Sequence, residues 1–179
     1  MRIIAGQLRR RSLKAPKGHL TRPTTDRTRE SLFNLISSRL DFEDIQILDL
    51  FAGTGSLGFE ALSRGANLAM FVEMNPKVMK FCKENATQLG MEEACVFYQT
   101  DVVRFLRTYN GPPFDIIFAD PPYKLEGIEK LPGLAIPFLK PEGLFVLEHD
   151  QAHDFKEDER LLKSKSYGRT IVSIFENLN

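Results

Sequence analysis

Between residues 47 and 148, short apolar runs alternate with stretches of helical spacing, and this alternation constrains the fold more than any other property of the chain. Ile47 to Phe51, Leu68 to Glu73, Ala94 to Tyr98, Phe114 to Ala119 and Leu144 to Glu148 are five or six residues each and largely apolar, as strands buried on both faces must be. Between them Leu57, Ala61 and Leu62, then Val78, Cys82, Ala86 and Leu89, then Val102, Val103, Phe105 and Leu106 recur at helical intervals, which makes Cys82 a core residue. Residues 127 to 139 read as a helix interrupted by Pro132 and Pro137, followed by the turn Lys140-Pro141-Glu142-Gly143. Such a chain predicts an α/β fold, a mostly parallel sheet with helices on both faces. Leu161 to Ser166 and Thr170 to Glu176, about Tyr167-Gly168, add a closing hairpin and so an antiparallel edge.

Local signals agree with this order. Arg64-Gly65 closes the first helix of the alternating region, Pro76 opens the next at its first turn, and Gly90 stops it. Upstream, Arg22-Pro23-Thr24-Thr25-Asp26 provides an extended approach and a capping side chain for a helix whose Leu32, Ile36 and Leu40 share a face, with Phe33 beside it. That helix should dock on the sheet and bring Arg22, Arg27 and Arg29 with it. Met1 to Pro16 suit a short exposed hairpin. No linker separates a second globular unit, so residues 1–179 read as one domain, with residues 1–25 a basic extension. Formal net charge is zero, yet residues 1–30 hold nine Lys and Arg against two acidic residues, and the remainder holds 15 basic against 22 acidic. A basic head on an acidic body fits a polyanionic partner. Cys82 and Cys95 form no Cys-x-x-Cys pair, and the chain opens without an apolar signal segment, so cytoplasmic residence without a membrane span is expected.

The first strand runs into Gly53, Gly55 and Gly58, a Gly-x-Gly-x-x-Gly spacing in which missing β-carbons allow a tight turn, ligand approach and close packing of helix on strand. Alone this spacing is a weak signal for a nucleotide-like cofactor. Acidic residues at the other strand ends strengthen it. Glu73 lies 20 residues after Gly53, where a carboxylate can accept both ribose hydroxyl protons. Asp101 ends the third strand and suits an adenine amino group, or else a helix cap. Asp49, four residues before Gly53, would oppose a pyrophosphate and favour a cation. A ribose, an adenine and a positive charge together describe S-adenosylmethionine better than a dinucleotide.

Asp120-Pro121-Pro122-Tyr123, directly after the fourth strand, is the most specific chemical signal in the chain. Two prolines stiffen the backbone, Asp120 and the carbonyls supply acceptors, and Tyr123 supplies a π-face, which together make a socket for an exocyclic amine. Acceptors on its two N–H groups can turn the amine's lone pair toward an electrophile while the ring stacks the base. No metal is needed for such chemistry. His149 and His153, four apart beside Glu148 and Asp150, read as solvated side chains at a strand end; Phe105, Phe114 and Phe118 read as core.

Asp49 to Gly58, Glu73, Asp101 and Asp120 to Tyr123 resemble the cofactor and catalytic motifs of class I amino methyltransferases. More narrowly, Met1 to Gly6, Arg22 to Arg27 and Arg29 to Asn34 resemble the openings of the bacterial 16S rRNA methyltransferases that modify N2 of guanine 966. The resemblance implies a seven-stranded Rossmann-like sheet and S-adenosylmethionine held by Asp49, Phe51, Gly53, Gly55, Gly58, Glu73 and Asp101. It also implies a flipped guanine at Asp120, Pro121, Pro122 and Tyr123, and small-subunit rRNA met by Arg9, Arg10, Arg11, Arg22 and Arg27. A monomer is expected. Two rival readings remain open at this point: a DNA adenine-N6 or cytosine-N4 methyltransferase, whose amines fit the same socket, and a non-catalytic RNA-binding assembly factor.

Overall fold

The computed structural model describes residues 1–16, 26–122 and 124–179. Its elements are α1 (Asp26–Ser37), β1 (Gln46–Asp49), α2 (Ser56–Ser63), β2 (Leu68–Val72), α3 (Pro76–Leu89), β3 (Cys95–Tyr98), α4 (Val102–Thr108), β4 (Phe114–Ala119), α5 (Leu131–Ala135), β5 (Leu139–His149), β6 (Leu161–Tyr167) and β7 (Thr170–Glu176). Seven strands form one sheet in the order β3-β2-β1-β4-β5-β7-β6. β1 to β5 run parallel, and β7 lies antiparallel between β5 and β6. Strand order reverses between β1 and β4, so a ligand crevice belongs outside the carboxyl ends of those two strands.

Alternate side chains divide the core between two helical layers. Ile47, Phe71, Phe118 and Val146 pack with α1, α2 and α3, while Leu48, Met70, Phe145 and Leu147 pack with α4 and α5. Pro76 stands in the first turn of α3 and Gly90 ends it with φ +70°, as their positions in the sequence require. Pro132 also lies in a first turn, that of α5, and 3-10 turns at Ile128–Lys130 and Ile136–Phe138 flank it. Among the described residues, no helix is long and apolar enough to cross a membrane.

Three boundaries differ from the sequence reading by more than one residue. β1 stops at Asp49, because Leu50 and Phe51 already curl into the glycine turn while Leu50 N–H still donates to Phe118 O at 2.9 Å. β5 begins at Leu139, so the residues read as the turn Lys140–Gly143 are a bulge inside it. Phe114 pairs with Leu139 but Ile116 with Leu144, and Glu142 takes φ +61°. α1 ends at Ser37 and leaves Leu40 outside the helix.

The amino-terminal hairpin exists, closed by an antiparallel bridge between Arg2 and Ser12, but it is docked rather than exposed. Ile3 and Leu13 are 1% and 5% exposed, in the core under α1, α2 and α3. Buried Glu60 on α2 accepts from Ile4 N–H at 2.7 Å and Ala5 N–H at 3.1 Å, and Ser63 accepts from Leu8 N–H while donating to Ala5 O. These partners lie more than 50 residues away in sequence, so no local periodicity announces them.

Candidate cofactor and base site

The site grows from the turn between β1 and α2. Gly53 and Gly55 both take left-handed backbone, φ +56° and +88°, which costs a glycine nothing and strains other residues. Gly55 is also the N-cap of α2. At Gly58 the constraint is packing: a β-carbon would come within 2.3 Å of the Phe71 ring on β2. A β-carbon at Gly53 would meet nothing nearer than Phe51 O at 4.0 Å, so that glycine leaves open space on the crevice side.

Four carboxylates read from the sequence line the carboxyl edge, on or just past the ends of β3, β2, β1 and β4. Asp49, at the end of β1, is 1% exposed; its Oδ2 accepts from Gly58 N–H at 3.4 Å, and its Oδ1 has no hydrogen-bond partner among the described residues. Burial first, opposed by the Gly58 N–H and reinforced by the charges of Asp120 and Glu73, pushes its pKa up to about 7. Glu73, just past β2, accepts from Gly53 N–H at 3.1 Å and Asn75 N–H at 2.7 Å. It thereby pins the glycine turn, and its four lone-pair sites leave capacity for ligand hydroxyls. Asp101 is exposed and caps α4, its Oδ1 accepting from Arg104 N–H at 3.0 Å, so the helix cap is its role in the free protein.

Asp120 follows the last residue of β4. It is open to water, but protein walls its carboxyl on most sides, and that desolvation pushes its pKa up to about 6; solvent reaching the group screens the effect. Pro121 is buried and Pro122 exposed. Pro122 O already accepts from Leu125 N–H at 2.8 Å, so it serves the turn as well as any ligand. Tyr123 lies outside the described residues. Phe51 is half-buried against the α4–α5 layer beside the glycine turn.

The cations read as nucleic-acid contacts divide. Arg9, Arg10 and Arg11 are exposed on the hairpin, and Arg11 donates to Gln88 O on α3 at 3.0 Å. Arg27 is exposed on α1, whereas Arg22 lies outside the described residues. Arg29, expected to travel with them, is fully buried and donates to Arg2 O and Asp26. His149 is also a correction: it is 3% exposed, not solvated, with Nε2 2.8 Å from Ser173 Oγ and Nδ1 2.8 Å from Asp150 O. Burial lowers its pKa. No cluster able to hold a metal occurs among the described residues. Phe105, Phe114 and Phe118 are core, as read.

Sequence reasoning missed one residue at the turn. Asn85 on α3 is fully buried, accepts from Lys14 N–H at 2.7 Å, and donates to Lys14 O and Thr54 O at 3.0 Å each. It joins the end of the hairpin to the middle of the glycine turn. A polar residue one step off the apolar stripe of α3 is the only sequence signal it leaves.

The family model described as Conserved hypothetical protein 95 matches residues 1–176. Ribosomal RNA small subunit methyltransferase D of Haemophilus influenzae is 36% identical over 183 residues, spanning 99% of this chain and 94% of that one. A hypothetical protein of Thermus thermophilus superposes with TM-score 0.85 at 28% identity, covering 98% and 99% of the two chains. An RNA methyltransferase of Salinibacter ruber, solved with S-adenosyl-L-homocysteine, shares the fold with TM-score 0.64 at 17% identity, over 87% of this chain and 93% of that one.

Proposed function

The chain belongs to the Conserved hypothetical protein 95 family, that of the small-subunit rRNA methyltransferases D, and from this premise we propose that it methylates small-subunit rRNA with S-adenosylmethionine, at the exocyclic N2 amine of guanine 966. The observation carrying the proposal is the buried Asp49 oxygen without a partner, beside an open glycine turn and one strand from Asp120.

The residues fit the cofactor. An unmatched buried carboxylate oxygen suits a cationic ammonium, which would also return the Asp49 pKa toward its ordinary range. Glu73 suits the ribose hydroxyls and Asp101 the adenine amine, while Gly53 leaves the backbone approachable. S-adenosylmethionine, when bound, supplies a methyl group already activated by its sulfonium.

What the protein then has to do is align an amine and remove a proton. An aromatic amine shares its lone pair with the ring, and Asp120 beside the stiff Pro121-Pro122 backbone accepts an N–H so that the lone pair localises out of the base plane. As the nitrogen gains a bond to carbon it must lose one proton. Asp120, ionised at neutral pH with a pKa near 6, accepts that proton and passes it to the water it faces. In this reading the ring of Tyr123 is assigned the stacking of the base, and the exposed Arg9, Arg10 and Arg27 the phosphates.

Incubating the protein with S-adenosylmethionine and either rRNA or assembled small subunits, then mapping the modified nucleotide, should find N2-methylguanine. Asp120→Ala should keep cofactor affinity within about threefold by calorimetry yet lose transfer by at least about 100-fold. Methyl on a base other than guanine, or wild-type turnover in the variant, would overturn this reading. No binding at millimolar cofactor would favour the assembly-factor role.

A further inference from the structure

A fifth carboxylate continues the row along the carboxyl edge. In sheet order the strand ends carry Asp101 after β3, Glu73 after β2, Asp49 on β1, Asp120 after β4 and Glu148 near the end of β5. The first three suit the adenine, ribose and ammonium of the cofactor, and the fourth suits the target amine. Glu148 therefore stands on the far side of Asp120 from the cofactor, where the rest of the base must lie. Register brings it close: Ala119, the last residue of β4, pairs with Leu147, so Asp120, the first residue past β4, and Glu148, still within β5, each stand one step beyond that pair. Glu148 also shares a face with Asp49. Phe118 and Val146 belong to the α1–α3 layer, while Ala119 and Leu147 belong to the other, so strand alternation puts Glu148 on the α1–α3 side with Asp49, and Asp120 continues from β4, the strand between them. Glu148 is 4% exposed, so a hydrogen bond made there forms in a poorly solvated setting.

Resting on the guanine-N2 reading above, we propose that Glu148 selects the base, its carboxylate accepting N1–H and one N2–H of guanine while Asp120 accepts the other N2–H. Guanine presents those two donors side by side on its Watson–Crick edge, and a carboxylate offers two parallel acceptors. Adenine and cytosine place a ring-nitrogen acceptor beside their amine, which a carboxylate repels. The same residue thus excludes the two amines that fit the Asp120 socket equally well. Its place at the end of an apolar strand, next to two histidines, gave no sign of this in the sequence; only strand order sets it beside Asp120.

The test uses the full-length protein, S-adenosylmethionine, and small-subunit rRNA bearing either guanine or 2-aminopurine at the target nucleotide. 2-Aminopurine keeps the N2 amine but has an acceptor at N1. The wild type should favour guanine in kcat/KM by on the order of 100-fold, since a site built around a donor rejects the analogue lacking it. Glu148→Ala should bring the ratio to within about fivefold of parity. Glu148→Gln pairs one acceptor with one donor, the complement of 2-aminopurine, and should bring the ratio to parity or reverse it. Cofactor affinity close to wild type identifies folded variants, and the near-isosteric glutamine carries the test where alanine does not fold. A guanine preference unchanged in the folded variants overturns the assignment. A wild type that makes no N2-methylguanine overturns the function on which it rests.

Discussion

Asp49 shows how burial can tune one side chain at the expense of the free protein. Burial, with the charges of Asp120 and Glu73 adding to it and the Gly58 N–H opposing, raises its pKa from 3.8 to about 7. The folded state thus binds a proton between those values that the unfolded state does not. Stability present below pH 4 is therefore lost progressively as pH rises to about 7, by on the order of 4 kcal/mol in the free protein. Asp49→Asn removes that dependence. Urea melts should find the variant more stable than wild type at pH 8 by on the order of 2–4 kcal/mol, with the gap closing toward pH 4, and calorimetry should find weaker cofactor binding at neutral pH. A stability gap independent of pH would show that Asp49 is not the group responsible. At this scale much was legible: Asp49, Glu73 and Asp120 were read from their places before or after apolar runs. Asn85 and Glu148 were not, because their partners come from elements brought near only by folding.

At the scale of elements, the turn from β1 to α2 sets the geometry of everything around it. α2 approaches β2 so closely that Phe59 and Phe71 have ring centroids 4.9 Å apart, and Gly58 is the point of closest approach. Gly58→Ala puts a methyl 2.3 Å from the Phe71 ring. The helix or the ring must shift, at about 1–3 kcal/mol, and any shift of α2 lengthens the hydrogen bond from Gly58 N–H to Asp49. Thermal melts should show the loss and calorimetry a weaker cofactor site; an unchanged melting temperature would mean the helix is less tightly seated than its packing indicates. The bulge in β5 marks the limit of local reading. Lys140-Pro141-Glu142-Gly143 has the composition of a turn, yet Glu142 N–H and Gly143 O both bond to Asn177 after β7, and the strand is carried through by its neighbours.

For the whole molecule, the hairpin is structural and electrostatic at once. Residues 1–16 bury Ile3 and Leu13 and satisfy Glu60, Ser63 and Asn85, so they are part of the folding unit rather than a removable arm. Deleting them should leave those buried polar groups unmatched and lower stability by several kcal/mol, seen as a large drop in melting temperature. Replacing the exposed Arg9 with Ala and Arg10, at φ +70°, with Gly should instead keep the melting temperature and weaken RNA binding. The slope of log affinity against log salt should flatten by about 1 for each phosphate that the variant no longer neutralises. A stable truncated protein, or a doubly substituted one with an unchanged salt slope, would contradict this division.

The sequence by itself determined the layered α/β architecture, the glycine turn and most of the acidic strand ends, because strand and helix periodicity, turn glycines and proline positions are local properties that each segment carries alone. Tertiary structure decided which strands are neighbours, that the basic hairpin is sunk into the helical layer, and that Glu148 stands beside Asp120. Those facts depend on contacts between segments far apart in the chain, whose free energy appears only when burial brings them together.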